Sequence, residues 1–218
     1  NVHCGQTLTA SVTLNGDLNC SGAGLIIAKN SVNLNLGGHT IAGPGYATAY
    51  NGVTISGTSD TVQNGVITSF QYGVYLTGTT DTVLNARVNY NQFGVVDLGS
   101  GTKVTTSTGA FNTAYGMYAS SAGATYSGDH ELNNGYYGLG VQGSKIIVTG
   151  NVANGNTYEG ILDQGVGTTL TKNTANFNGY DGINVRDATV VDGAGNTAKG
   201  NDYISGQLPI QCQGVVCA

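Results

Sequence analysis

The sequence predicts an all-β protein built as a solenoid of stacked coils, and three observations support this. Residues 51–71 (NGVTISGTSDTVQNGVITSFQ) and residues 72–92 (YGVYLTGTTDTVLNARVNYNQ) are copies of one repeat, and five further copies follow at a spacing of 21 or 22 residues. A period this short does not accommodate a pair of helices. Apolar residues alternate within each copy, as in Val53-x-Ile55, which is typical of strands. Glycine is abundant, at 36 of 218 residues, and supplies tight turns between the strands.

Asparagine recurs at one position of the repeat. Because equivalent residues of a solenoid stack, we expect these side chains to form a hydrogen-bonded ladder at one turn. The ladder consists of Asn91, Asn112, Asn134, Asn156 and Asn178. A second column runs through Asn151 and Asn173.

The two ends of the chain break the repeat, and each holds a cysteine pair. A solenoid needs caps over its open ends, so we expect one domain with an N-terminal cap (1–24), coils (25–201) and a C-terminal cap (202–218). The spacing favours two local disulfides, Cys4–Cys20 and Cys212–Cys217, in a secreted protein. The alternative is four reduced thiols in a cytosolic protein. The start NVHCG is interpreted as a mature N-terminus after processing.

Several motifs point to a known family. The run LNLGGHTIAGPG (34–45), the repeat motifs GVTISGTSDTV and GNTAKGN, and the ending QCQGVVC together resemble secreted bacterial right-handed parallel β-helix repeat proteins of the pectate-lyase-like superfamily. The resemblance covers nearly the whole chain and implies a single-stranded right-handed parallel β-helix of about 7–8 coils. It does not settle activity, because this fold hosts lyases, hydrolases, epimerases and non-enzymes. The tryptophan-containing pectate-lyase motif is absent, since the chain has no tryptophan.

Composition limits the partners. With seven basic residues, a net charge of −5 and a pI of about 4.8, nucleic acid is not expected. No apolar run is long enough to span a membrane. The expected partner is an acidic or neutral polysaccharide, and the expected location is extracellular, of bacterial type. We expect a monomer or a weak homo-oligomer.

Tyrosines mark one candidate binding surface. Tyr75 and Tyr118 point outward from equivalent strands two coils apart, about 9.6 Å at the inter-strand spacing, which resembles two units of an extended polysaccharide. Tyr115 and Tyr137 lie in the adjoining turn column. Aromatic faces stack on sugar rings, so these four residues are the expected substrate-binding residues. The alternative is an aromatic stack that only covers a turn.

The stretch SGDHEL places Asp129, His130 and Glu131 side by side in a chain with 9% charged residues. Column alignment sends His130 outward on the same face as Arg87, with Thr108 between them. A lyase that acts on a uronate needs a base and a positive charge on the carboxylate. His130 is the candidate base, oriented by Asp129 or Glu131.

Lys103 projects from the preceding strand of the intervening coil and joins Arg87 as a candidate neutralising group. Glu131 is predicted to point inward, between Gly109 and Ala153, with room for water or a partner such as Asp97. A register slip would turn it outward instead. A glycosidase would need two carboxyl groups, for which Glu131 with Asp129 or Asp97 is the candidate pair.

Glu159 and Asp181 occupy equivalent turn positions one coil apart. Stacked acids repel unless a cation lies between them, so Ca²⁺ is the candidate cofactor there, and no other is required. The alternative is a solvated acidic edge.

Three functions follow from these features. A polysaccharide lyase acting on a uronate polymer is favoured over a glycoside hydrolase. A non-catalytic polysaccharide-binding or cell-envelope β-helix is the alternative, because the compact coils carry almost no long loops. The third is an ice-binding or adhesive solenoid. A threonine column interrupted by Lys103 and Ile147 suggests it: Thr61, Thr82, Thr125, Thr169 and Thr189.

Overall fold

The computed structural model describes residues 2–201 and 211–217, which form a parallel β-solenoid of about nine turns. Within these residues the regular structure consists of strands alone. The strands are β1 (Thr7–Leu8), β2 (Val12–Thr13), β3 (Leu18–Asn19), β4 (Leu25–Ile27), β5 (Asn33–Asn35), β6 (Thr40–Ala42), β7 (Asn51–Ile55), β8 (Thr61–Thr68), β9 (Tyr72–Leu76), β10 (Thr82–Asn89), β11 (Phe93–Asp97), β12 (Lys103–Thr105), β13 (Thr108–Ala110), β14 (Met117–Ala119), β15 (Thr125–Ser127), β16 (His130–Leu132), β17 (Leu139–Val141), β18 (Ile147–Thr149), β19 (Val152–Asn154), β20 (Ile161–Asp163), β21 (Thr169–Thr171), β22 (Thr174–Asn176), β23 (Ile183–Val185), β24 (Val191–Asp192), β25 (Thr197–Lys199) and β26 (Cys212–Gln213).

Each regular coil contributes three strand segments. The first joins a ten-stranded parallel sheet, and the second and third join a sixteen-stranded sheet. The latter two are continuous in β8 and β10 and separate strands in later coils. The predicted all-β solenoid is confirmed. It has about nine turns because the first 42 residues already pair as coils, with β1 on β4, β2 on β5 and β3 on β6.

Each coil turns at three bends, and one residue at each bend adopts a left-handed backbone conformation. In the coil that starts at β7, these residues are Ser59 (φ 59°), Asn64 (φ 60°) and Ser69 (φ 64°). Glycine takes the equivalent position in several later coils, for example Gly128 (φ 65°) and Gly155 (φ 69°). Glycine, asparagine and serine tolerate this conformation better than branched residues do. Bulkier residues such as Tyr90, Lys145 and Phe177 take this position in other coils, so the bends account for only part of the glycine and asparagine content.

The core consists of stacked apolar columns along the solenoid axis. The predicted inward columns are confirmed, because Val53 pairs with Val74 and Ile55 with Leu76 in register, and all four side chains are fully buried. Apolar burial of this kind supplies about 25 cal/mol for each Å² removed from water.

Both predicted asparagine columns are hydrogen-bonded ladders. In the main ladder, the Asn134 backbone N–H donates to Asn156 Oδ1 (3.0 Å), and Asn156 Nδ2 donates to the carbonyl of Glu131 (2.9 Å). The same pattern repeats from Asn91 to Asn201. These bonds satisfy bend backbone groups that would otherwise be buried without partners.

The ends are held as expected by Cys4–Cys20 and Cys212–Cys217. The cap boundary at 202 stays a prediction, since residues 202–210 lie outside the described part. The prediction that Thr189 ends the threonine column is wrong, because Thr169 pairs with Val191 and not with Thr189. No helix in the described residues is long and apolar enough to cross a membrane.

Candidate functional site

The outward side of the ten-stranded sheet carries a cluster of aromatic rings. Tyr72 stacks on Tyr75 within one coil, with ring centroids 5.2 Å apart and planes at 19°. Tyr115 stacks on Tyr118 two coils further on, at 5.6 Å and 21°. Phe93, in the coil between, packs edge-on against Tyr72 at 67° and Tyr115 at 75°. One face of Tyr75 and one face of Tyr118 are therefore covered by a tyrosine of the same coil.

These rings border a shallow groove of about 350 Å³. Its lining residues are Tyr72, Tyr75, Phe93, Val96, Leu98, Tyr115, Tyr118 and Gln142. The Tyr118 hydroxyl donates to Gln142 Oε1 at 2.5 Å, and Gln142 Nε2 donates to Gln164 Oε1 at 3.1 Å. The groove thus combines aromatic surface with an edge of amides. We call the surface formed by these lining residues and Gln164 the aromatic face.

Gln142 and Gln164 were not predicted from the sequence as binding residues. The available signal was their position: each directly follows an inward residue of the first strand, Val141 and Asp163, so the two amides stack one coil apart. Tyr137 lies in the turn column beside Tyr115, and their rings stack at 5.1 Å. Burial, and then the charge of Glu159, raise the pKa of Tyr137 to about 12.

The aromatic face ends in a polar cluster. Asn184 Nδ2 donates to both Asp181 Oδ2 (2.8 Å) and Glu159 Oε1 (3.3 Å). Arg186 Nη2 lies 3.6 Å from the same Glu159 oxygen, and Glu159 is almost fully buried. Asn184 and Arg186 therefore compensate much of the repulsion between the stacked acids. Calcium at Glu159 and Asp181 stays a prediction, and Arg186 is the competing cation.

Arg87 and His130 project from the other sheet. Arg87 pairs with Thr108, Thr108 pairs with His130, and both long side chains are exposed. Arg87 borders a second recess of about 500 Å³, formed with the bend residues Asn64 and Asn85. Lys103 is exposed on β12, in register with Thr82.

Asp129 belongs to the second ladder. Its Oδ1 accepts from the Ser107 backbone N–H (2.7 Å), its Oδ2 accepts from the Ser127 N–H (3.1 Å), and its own N–H donates to Asn151 (2.8 Å). The side chain is fully buried, which raises the pKa of Asp129 to about 7. Asp129 thus occupies a structural position in the bend and does not reach the surface that His130 shares with Arg87.

Glu131 points into the coil, as its column predicts, and the register Gly109↔Glu131 excludes a slip. Neither carboxyl oxygen has a hydrogen-bond partner among the described residues. The prediction that Asp97 partners Glu131 is wrong, because the Asp97 carboxylate accepts hydrogen bonds from other groups, including the hydroxyls of Ser121 (3.0 Å) and Tyr126 (3.2 Å). The expected space beside Gly109 is also missing, since a Cβ there would lie 2.6 Å from a backbone oxygen.

Glu131 is therefore enclosed, and the structure separates the five predicted catalytic residues. Arg87, His130 and Lys103 are exposed on the sixteen-stranded sheet, while Asp129 and Glu131 lie inside the coil. Asp129 and Glu131 are buried, whereas the His130 side chain is exposed, so neither carboxyl group orients the His130 ring.

The fold and its stacked columns define a parallel β-helix. A family model for NosD, described as a periplasmic copper-binding protein, matches residues 51–213. The chain therefore belongs to the NosD family. A comparison with curated proteins finds no match.

Solved structures share the fold at low identity. The chain is similar to the A-module of the Azotobacter vinelandii mannuronan C-5 epimerase AlgE6 (15% identity, TM-score 0.69), with 94% of this chain and 63% of the module covered. It is similar to the alginate lyase from Paenibacillus sp. str. FPU-7 (14%, TM-score 0.56), with 95% and 99% covered. It is also similar to pectate lyase Pel9A (20% identity, TM-score 0.54), with 94% of this chain and 70% of the lyase chain covered. The chain thus spans less than two thirds of the epimerase module, and these likenesses concern the fold.

Proposed function

We propose that this protein binds a polysaccharide along its aromatic face. The observation that carries the proposal is the groove bordered by the two stacked tyrosine pairs and Gln142. Extended glycans present alternating apolar ring faces and hydroxyl groups. Aromatic rings match the first, and amides, which both donate and accept, match the second.

The spacing of the coils supports a ligand that runs along the solenoid axis. Tyr75 and Tyr118 are two coils apart in register through Val96, so their backbones are separated by about 9.6 Å. Each ring has one face on a tyrosine of its own coil and is only half-buried, so part of its surface is available for a sugar. Val96 lies between them in register, and Leu98 also lines the groove.

The test is binding of the intact protein to a panel of soluble polysaccharides by isothermal titration calorimetry. Tyr75→Ala and Tyr118→Ala are each expected to weaken binding roughly two- to tenfold, because one aromatic stack contributes about 0.5–1.5 kcal/mol. Tyr90→Ala is the matched control. Tyr90 is also exposed and stacked, on Phe111, but lies at a bend outside the aromatic face. Equal losses in all three variants, or none, would contradict the proposal.

A second candidate is a lyase that cleaves a uronate polymer by β-elimination at Arg87 and His130. Its support is their exposure on one face with only Thr108 between them. In this mechanism Arg87 neutralises the uronate carboxylate and His130 removes the proton alpha to it. The glycosidic C4–O bond then breaks as the C4–C5 double bond forms, and the leaving oxygen takes a proton from water. Lys103 would add positive charge nearby.

The lyase hypothesis predicts rising ultraviolet absorbance from unsaturated products when the protein is incubated with uronate polymers. The rise should disappear in His130→Ala and in Arg87→Ala but persist in Tyr75→Ala. Binding without any rise in absorbance leaves the polysaccharide-binding function and removes this one.

Copper, which the family description names, does not fit the residues that the structure describes. Copper in proteins is held mainly by cysteine, methionine and histidine. All four cysteines form disulfides, and Met117 is fully buried in the core. Of the three histidines, His3 precedes β1, His39 pairs with Asp17 and His130 is on β16, so they lie on different coils. Within residues 2–201 and 211–217, no group of three or more His, Cys, Asp or Glu is arranged to hold a metal.

We also propose an extracytoplasmic location, periplasmic or extracellular. The two disulfides and the periplasmic description of the family support it. Labelling of free thiols in the protein taken directly from its source compartment would test it, since a cytosolic protein would react at four cysteines.

A further inference from the structure

We propose that the aromatic face selects an uncharged polysaccharide over a polyuronate. This inference rests on the polysaccharide-binding function proposed above and specifies its ligand. It follows from the charges that the sheet presents along the path of the ligand.

Three outward columns make up this side of the ten-stranded sheet. Backbone hydrogen bonds and strand registers place equivalent residues of successive coils one above the other. The turn column is Asn51, Tyr72, Phe93, Tyr115, Tyr137, Glu159 and Asp181. The middle column is Thr54, Tyr75, Val96, Tyr118, Gly140, Leu162 and Asn184. The far column is Ser56, Thr77, Leu98, Ser120, Gln142, Gln164 and Arg186.

Charge is confined to the last two coils of these columns. The five coils from Asn51 to Gln142 present aromatic, aliphatic, hydroxyl and amide groups only. The last two coils carry Glu159, Asp181 and Arg186, for a formal net charge of −1. Arg186 is already paired with Glu159, at 3.6 Å.

A polyuronate carries one carboxylate for each sugar unit. To lie in this groove, each carboxylate would lose water against aromatic surface without meeting a cation, which is unfavourable. Of the other basic residues, Arg87, Lys103 and Lys199 belong to strands of the sixteen-stranded sheet. Lys29, Lys145 and Lys172 lie between strands, outside the three columns. An uncharged glycan meets no such penalty, because its hydroxyls can exchange hydrogen bonds with the Gln142 and Gln164 amides.

A matched pair of ligands isolates the charge. A soluble neutral glucan and the same glucan oxidised at C6 to carboxylates share linkage and shape and differ in charge. We expect the neutral form to bind about tenfold more tightly, and its affinity to change little between about 0.02 and 0.5 M salt, since no ion pair is screened. The measurement is calorimetric titration of the wild-type protein, repeated with a neutral mannan and its oxidised form.

A charge variant provides the second arm. Gln142→Lys places a cation at the groove edge and is expected to strengthen binding of the oxidised polymer several-fold. Thr125→Lys adds the same charge on the sixteen-stranded sheet and is expected to have no such effect.

The outcomes separate the two proposals. Equal or tighter binding of the oxidised polymer, weakened by Tyr75→Ala, would overturn the selectivity and leave polysaccharide binding at this face intact. Binding that is insensitive to Tyr75→Ala and Tyr118→Ala, or no binding of any polymer, would overturn both.

Discussion

Glu131 offers a direct test of how this solenoid holds a carboxyl group inside its coils. Its side chain is fully buried and its two oxygens have no hydrogen-bond partner in the described structure. Burial, and then the charge of Asp129, raise the pKa of Glu131 well above its ordinary value of 4.5. The folded protein therefore keeps a proton on Glu131 that the unfolded chain releases above about pH 4.5.

The sign and size of the effect follow from this difference. Above pH 4.5 the unfolded state binds fewer protons at Glu131 than the folded state, so the free energy of unfolding falls as pH rises. The slope is about 1.4 kcal/mol per pH unit for one group and ends at the raised pKa of the folded state. Glu131→Gln removes this titration with little change in shape. The stability of this variant relative to the wild type is therefore expected to increase with pH at that slope.

Glu131→Met removes the buried polar atoms as well. Because an unbonded polar group costs about 1–3 kcal/mol to bury, this variant is expected to exceed Glu131→Gln in stability by that amount at every pH. The assay is urea denaturation from pH 4.5 to 8, followed by circular dichroism. Glu159→Gln makes the same chemical change outside the coil interior and serves as the control.

Other buried carboxyls titrate too, but they are common to wild type and variant and cancel in the difference. A constant difference between Glu131→Gln and wild type over the whole range would refute the reasoning. So would a variant that loses stability relative to wild type as pH rises.

Three further predictions concern the ladders and the N-terminal end. Asp129→Asn is expected to gain stability in urea relative to the wild type as pH rises from 4.5 to 8, because burial raises the folded pKa of Asp129 to about 7, whereas the Ser127 N–H loses its acceptor equally at every pH; a constant difference over this range would contradict this. Asn156→Ala is expected to lower the unfolding free energy by about 2–5 kcal/mol, since it leaves two buried backbone groups unpaired; a loss below about 1 kcal/mol in the same assay would argue against the ladder. Replacing Cys4 and Cys20 by serine removes a link across 16 residues and is expected to cost about 3 kcal/mol, seen as a lower melting temperature that reductant no longer changes.

Much of the fold could be predicted because it is periodic. A strand alternates its side chains with period 2, and each coil repeats after 21 or 22 residues, so position in the repeat decides which side a residue faces. This placed Val53 and Ile55 inside and Tyr75 outside. The ladder through Asn156 follows from the same arithmetic. The irregular N-terminal coils could not be counted this way, because their lengths differ from the repeat.

The candidate site was less predictable. The sequence placed Tyr75, Tyr118, Tyr115 and Tyr137 near one another, but a groove depends on ring orientations. Only the packed structure shows Tyr75 stacked on Tyr72 with Phe93 edge-on beside it. These orientations depend on side-chain torsions, which neighbouring coils decide together.

The stretch SGDHEL separates what the sequence predicts from what only the tertiary structure shows. By itself the sequence determined the coil, the strand and the alternation that sends His130 outward and Glu131 inward. Only the tertiary structure decided that no register slip occurs, that Gly109 leaves no space beside Glu131, and that Asp129 is held by the backbone of its bend. The physical reason is that adjacent residues of a strand face opposite sides of the sheet, and the environment on each side is built by other coils.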